Sequence, residues 1–215
     1  MKIKLLLFLG LCLFLSACGP IQHSDLNKAL LPEDSNIECQ DRECYIKTLG
    51  LDKNPENPLT AIVALPYNKE VELNVWVFTP FVKSKKGDIE LCIAKALKQV
   101  IPQSAVYFEY KPDAVVVYEI NRVFMSGDGA LIRRSTLTSR KCSWFTEIYG
   151  KLTFTKNNKT IELNGAGAKP GLMRWGDPYY TTWNACLDVA NNISDVLIKE
   201  GYIKESDVKK AQVEK

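Results

Sequence analysis

The spacing of hydrophobic residues changes several times along the chain, and each change marks an element. Over residues 71–81, Val71, Leu73, Val75, Val77 and Phe81 share one side of an extended backbone and Glu72 and Asn74 take the other. This predicts a strand with one core face. Lys83-Ser84-Lys85-Lys86-Gly87 reads as a basic turn, with Asp88 placed to cap a helix over 89–101. The stripe of that helix is Ile89, Cys92, Ile93, Ala96, Leu97 and Val100, at helical spacing, with Lys95 and Lys98 on the other side. Pro102 marks its end.

A short strand follows over 105–110, broken by Lys111-Pro112-Asp113. Residues 114–125 form a stronger one. Val115, Val116 and Val117 in series predict a central strand covered on both faces for part of its length. Ser126-Gly127-Asp128-Gly129 has the composition of a hairpin turn, and 131–139 continues as a strand. From Cys142 the alternation is regular: Cys142, Trp144, Thr146, Ile148, Leu152 and Phe154 inward, Ser143, Glu147, Lys151 and Thr155 outward. Asn157-Asn158 turns the chain, and 160–166 returns with Ile161 and Leu163 inward. Residues 165–171 read as a glycine-rich break that lacks the spacing of a phosphate loop. A last helix is expected from Thr181 or Thr182, with Trp183, Cys186, Leu187, Ala190, Ile193 and Leu197 buried. Gly201 stops it, and Tyr202 is placed to fold back on its last turn. Beyond Ile203 the expectation is a loosely held tail or a short polar helix.

Two amphipathic helices and mostly alternating strands predict an α+β fold. It is a two-layer sandwich, with an antiparallel-rich sheet and both helices packed on one face. The strand before the first long helix and the strand after it can be parallel neighbours through a right-handed crossover. The organisation expected is a signal peptide (1–17), a lipidated N-terminus with tether and a short cysteine-containing segment (18–58), one domain (59–203) and a polar tail (204–215). Within 18–58, Cys39 and Cys44 bracket a small loop that a disulfide can close, running into a short helix that ends near Gly50.

Composition narrows the chemistry. The chain has 28 basic and 25 acidic residues, and loses Lys2 and Lys4 if residues 1–17 are removed. The remainder is close to neutral, which argues against nucleic acid as a partner. The one histidine, His23, falls in the tether, so a Ser-His-Asp or Cys-His nucleophile has no histidine in the expected domain. A zinc site of His and Cys lacks ligands for the same reason. No metal, cofactor or catalytic residue is assigned. Cys92, Cys142 and Cys186 all fall on inward positions, and two of them can lie within bridging distance.

The first residues carry the most specific signal. Lys2 and Lys4 precede an apolar run from Leu5 to Leu15, and Leu15-Ser16-Ala17-Cys18 follows. A basic start, a short apolar run and a small-residue boundary make a secretory signal peptide. The run is shorter than the roughly 20 residues a membrane span needs. Leu15-Ser16-Ala17-Cys18 resembles the lipobox of bacterial lipoproteins. The resemblance implies that Cys18 is lipidated and becomes the first residue after cleavage. It also implies a membrane partner through that lipid. Gly19, where retained lipoproteins of the better-known Gram-negative systems have Asp, implies the outer membrane, facing the periplasm. In order and size of elements the domain resembles small α+β envelope lipoproteins, among them the lipopolysaccharide-assembly lipoprotein and auxiliary lipoproteins of lipid transport.

The function expected is that of a non-catalytic partner or assembly subunit of a larger envelope complex. The alternative is a lipid- or glycan-binding lipoprotein using an aromatic loop over 172–180, with Met173, Arg174, Trp175, Tyr179 and Tyr180 as its binding residues. An enzyme would draw on Asp177, Glu147 and Asp128. The basic pairs Lys85-Lys86, Arg133-Arg134 and Arg140-Lys141 read first as solvated strand ends.

Overall fold

The computed structural model describes residues 39, 41–56, 58–59, 62–65, 72–77, 79–84, 89–126, 142–170 and 177–213. Cys18, Asp128, Met173, Arg174, Trp175 and the strand expected over 131–139 lie outside them.

The described residues form an α+β fold of two layers. In order they are α1 (Arg42–Thr48), β1 (Ile62–Ala64), β2 (Glu72–Val77), β3 (Thr79–Ser84), α2 (Ile89–Val100), β4 (Ala105–Tyr107), β5 (Val116–Ser126), β6 (Cys142–Phe154), β7 (Thr160–Pro170) and α3 (Asp177–Lys199). The longest pairings, β5 with β6 and β6 with β7, are antiparallel. β5 is central: β6 runs along one edge, while β1 and β2 lie in tandem and parallel along the other. Both long helices pack on one face, α3 across β6 and β7 with α2 beside it.

β5 explains how one strand serves several partners. Val116, Tyr118 and Ile120 face the helices, and so do Val123 and Met125. An irregularity in pairing with β6 between Ile120 and Arg122 changes the parity without losing the core face. At the start of β5, Ala114 and Val117 are also buried, on the opposite side. The coverage of both faces read from Val115-Val116-Val117 is present there.

Five expectations change. The strand expected over 71–81 is a hairpin, β2 with β3 antiparallel, and Lys83 and Ser84 belong to β3 rather than to a turn. Alternation cannot distinguish one strand from two that double back. Pro80, which has no N–H to donate, suits β3, which is outermost among the described strands. The parallel partner of β2 is β5; the strand after the first long helix, β4, instead pairs with β1. Residues 165–170 of the expected glycine-rich break are part of β7, where Gly165 and Gly167 let α3 approach the strand backbone, and Gly171 lies outside the described residues. α3 begins at Asp177, a turn before Thr181. Pro at the second position of a helix costs no hydrogen bond, so Pro178 is no barrier to the earlier start. Lastly, the tail does make a short polar helical turn, Glu205–Asp207, but it is not loosely held beyond it: residues 208–213 are docked on the helix layer, with Val208, Ala211 and Val213 against the main core.

The core also extends before residue 59. Tyr45 of α1 and Leu51 belong to it. Asp41 caps α1 by accepting from Cys44 N–H at 2.8 Å, and Gly50, at φ 64°, ends it. Gly201 at φ 77° ends α3 in the same way. Tyr202 N–H reaches Leu197 O and Gly201 N–H reaches Ile198 O, a left-handed cap that an L side chain would strain. Cys39 and Cys44 form a disulfide, as do Cys92 and Cys186, with α-carbons 5.4 and 6.0 Å apart. The second bridge joins α2 to α3 inside the core. Of Cys142 only the backbone is described, at the start of β6.

Candidate functional site

The sheet has a second face, away from the helices. Register brings Arg122 and Phe124 of β5 opposite Tyr149 and Glu147 of β6, and these opposite Asn164 and Ala166 of β7. Further along, Phe145 pairs with Ala168. Phe145 and Ala168 are buried, with Phe124 and Ala166 packed on them as a cluster separate from the main core. Cross-strand neighbours of this kind interact directly, so the strands alone assemble an apolar patch bordered by a polar one.

The polar border is built from three side chains. The Tyr149 hydroxyl donates a short hydrogen bond to Glu147 Oε2. The Arg122 guanidinium lies over the Tyr149 ring, 4.6 Å from its centroid. Burial pushes the Glu147 carboxyl above its ordinary value; the Tyr149 hydrogen bond and the Arg122 charge oppose this without cancelling it. The Tyr149 phenol is pushed up to about 12, by burial first and then by its bond to Glu147. The arrangement offers a ligand an aromatic face, a carboxyl with raised proton affinity and a guanidinium. Among the described residues no group of three or more His, Cys, Asp and Glu could hold a metal ion.

The expected binding residues come apart. Tyr179 and Tyr180 lie in the first turn of α3 rather than in a loop. Tyr179 is half-buried against the main core. Tyr180 is 36% exposed, with Lys169 Nζ 5.0 Å from its ring centroid. Met173, Arg174 and Trp175 lie outside the described residues, as does the side chain of Asp177. Glu147 faces outward as its place in the alternation requires. Its partners do not follow from alternation alone: Tyr149 continues the same face two residues on, but Arg122 reaches it only through the β5–β6 register.

No protein-family model matches this chain, and no curated protein matches it. Among the described residues no helix is long and apolar enough to cross a membrane.

Proposed function

We propose that this chain is a bacterial envelope lipoprotein, held to a membrane by a lipid on Cys18. Its folded domain then serves as a non-catalytic subunit of a larger outer-membrane or periplasmic complex. The observation that carries the reading is the opening segment: Lys2, Lys4, an apolar run and Leu15-Ser16-Ala17-Cys18. Two disulfides support it, since such bonds persist in oxidising compartments outside the cytoplasm. Gly19 after the cysteine supports the outer membrane as the address. The outer sheet face supports a docking role, because aromatic residues and arginine are enriched where proteins meet.

A second reading, lipid or glycan binding near residues 172–180, is favoured by Tyr180, exposed beside Lys169. Three measurements separate the alternatives. Mass spectrometry of the mature N-terminus should find a diacylated or triacylated Cys18. Cys18→Ser should release the protein from membranes. Crosslinking in intact cells should trap one protein partner in stoichiometric amount. An unmodified N-terminus at another residue removes the anchor from the reading. Co-purified lipid or glycan without a protein partner transfers it to the second one.

A further inference from the structure

Beyond Ile203 the chain makes a one-turn 3-10 helix, Glu205–Asp207, and then runs across the helix layer through residues 208–213. Three hydrogen bonds hold this stretch by its own backbone. Lys209 N–H donates to Val100 O at 2.7 Å. Val100 ends α2, and the carbonyls of a helix's last turn have no partner within the helix. Two residues on, Ala211 N–H donates to Asn191 Oδ1 at 3.3 Å, and Ala211 C=O accepts from Asn191 Nδ2 at 3.0 Å. A side-chain amide paired in this way does for one residue what a neighbouring strand does. Val208, Ala211 and Val213 press on the main core, and Lys210 Nζ meets Asp195 Oδ1 at 2.7 Å.

A surface that grips backbone groups recognises an extended conformation, and its apolar contacts add only a coarse side-chain pattern. We propose that the end of α2, together with Asn191 and Asp195 of α3, forms a peptide-binding groove. Residues 208–213 occupy it in cis, and it accepts in trans an extended segment of a partner protein. That segment carries small apolar residues at its first, fourth and sixth positions and a cation at its third. The cis segment is the competitor. Its apolar side chains are only half-buried and its ion pair is exposed, so it opens locally before the domain unfolds. The turn at Glu205–Asp207, where Lys204 N–H donates to Asp207 Oδ2 at 2.9 Å, is the hinge. The groove belongs to the folded domain and does not depend on the lipid anchor.

The test uses the full chain and a fluorescent hexapeptide with the sequence of residues 208–213. The double variant Lys210→Glu, Ala211→Pro reverses the cation and removes the Ala211 N–H, which loosens the cis segment and leaves the groove unaltered. It should bind the peptide saturably, at least about tenfold more tightly than the unaltered chain. Adding Asn191→Ala should abolish that binding. A folded double variant without saturable binding, or binding indifferent to Asn191→Ala, overturns the proposal. A concentration-dependent dimer of the unaltered chain that Asn191→Ala dissolves also overturns it, since the occupant is then a second copy. A double variant unable to fold makes the segment part of the core and has the same consequence. Hydrogen exchange on the unaltered chain checks this independently. The Ala211 amide should exchange at least about tenfold faster than those of Ile193 and Leu197; equal rates overturn the proposal.

Discussion

The two faces of the sheet are built by different rules. On the helix face, β7 offers no side chain at Gly165 and Gly167, and α3 settles against the bare backbone. A Cβ at Gly165 would stand 2.5 Å from Ala185 O, and one at Gly167 would overlap Thr181 O and stand 2.7 Å from Ala185 N. α3 also binds two backbone groups of β7 that β6 leaves unpaired: Asp188 Oδ2 accepts Ala166 N–H at 3.0 Å, and Asn192 Nδ2 donates to Asn164 O at 2.8 Å. Asp188 and Asn192 are one helical turn apart, so the helix reaches successive backbone groups of the strand. This occupies two backbone groups of β7 that could otherwise pair with another chain. On the outer face Phe124 and Phe145 pack together and Tyr149 meets Glu147 and Arg122 through their side chains, and no glycine among the described residues of that face is needed for close approach. One face is fixed by backbone meeting backbone; the other is assembled from side chains that meet across strands.

Substitutions test that contrast in order of size. The largest effect is expected from replacing Cys92 and Cys186 together by Ala. Their bridge closes a span of 94 residues, and the chain-entropy account of disulfides gives about 4–5 kcal/mol for a loop of that order. Removing the Cys39–Cys44 bridge, which spans 5 residues, should cost about 2 kcal/mol on the same account. Denaturant titration of both variants measures the difference, and equal losses would mean that loop length does not govern it.

Next comes Gly167→Ala. The new methyl meets backbone on α3, which cannot swing aside, so a loss of about 3 kcal/mol is expected. Ala166→Ser, one residue away and on the outer face, should cost less than about 1 kcal/mol. Similar losses at 166 and 167 would erase the distinction between the faces. Asp188→Ala should cost about 1–3 kcal/mol, because Ala166 N–H loses its acceptor. Asp188→Asn keeps an acceptor oxygen and should restore most of that loss in the same melting series.

The smallest effect concerns Glu147. Its folded value is raised, so between the ordinary carboxyl value and the raised one the folded state holds more proton than the unfolded state. Its contribution is therefore full at low pH and is lost as pH rises through that window. Glu147→Gln should remove this fall in stability as pH rises above the ordinary carboxyl value of about 4, while leaving the low-pH value nearly unchanged. An unaltered pH profile would show that Glu147 is not the group responsible.

Much of the fold is legible in the amino-acid sequence itself. The helix stripe from Ile89 to Val100, the alternation of β6 and the stop at Gly201 depend on residues near in sequence, and period reports which side of an element is apolar. A Gly-Ala-Gly-Ala run reads locally as a break, and nothing nearby says that α3 will cover it. The basic start and Leu15-Ser16-Ala17-Cys18 likewise need no fold to be recognised.

The tertiary structure decided what depends on partners distant in sequence. It set Arg122 over Tyr149, because cross-strand neighbours follow from register and an irregularity in β5 shifts that register by a residue. It separated Tyr179 from Tyr180, because a helical first turn points consecutive residues in different directions. It joined Cys92 to Cys186 across α2 and α3, and laid residues 208–213 along Asn191. Local pattern carries the hydrophobic period of each element; which backbone group meets which side chain is settled only when the elements pack.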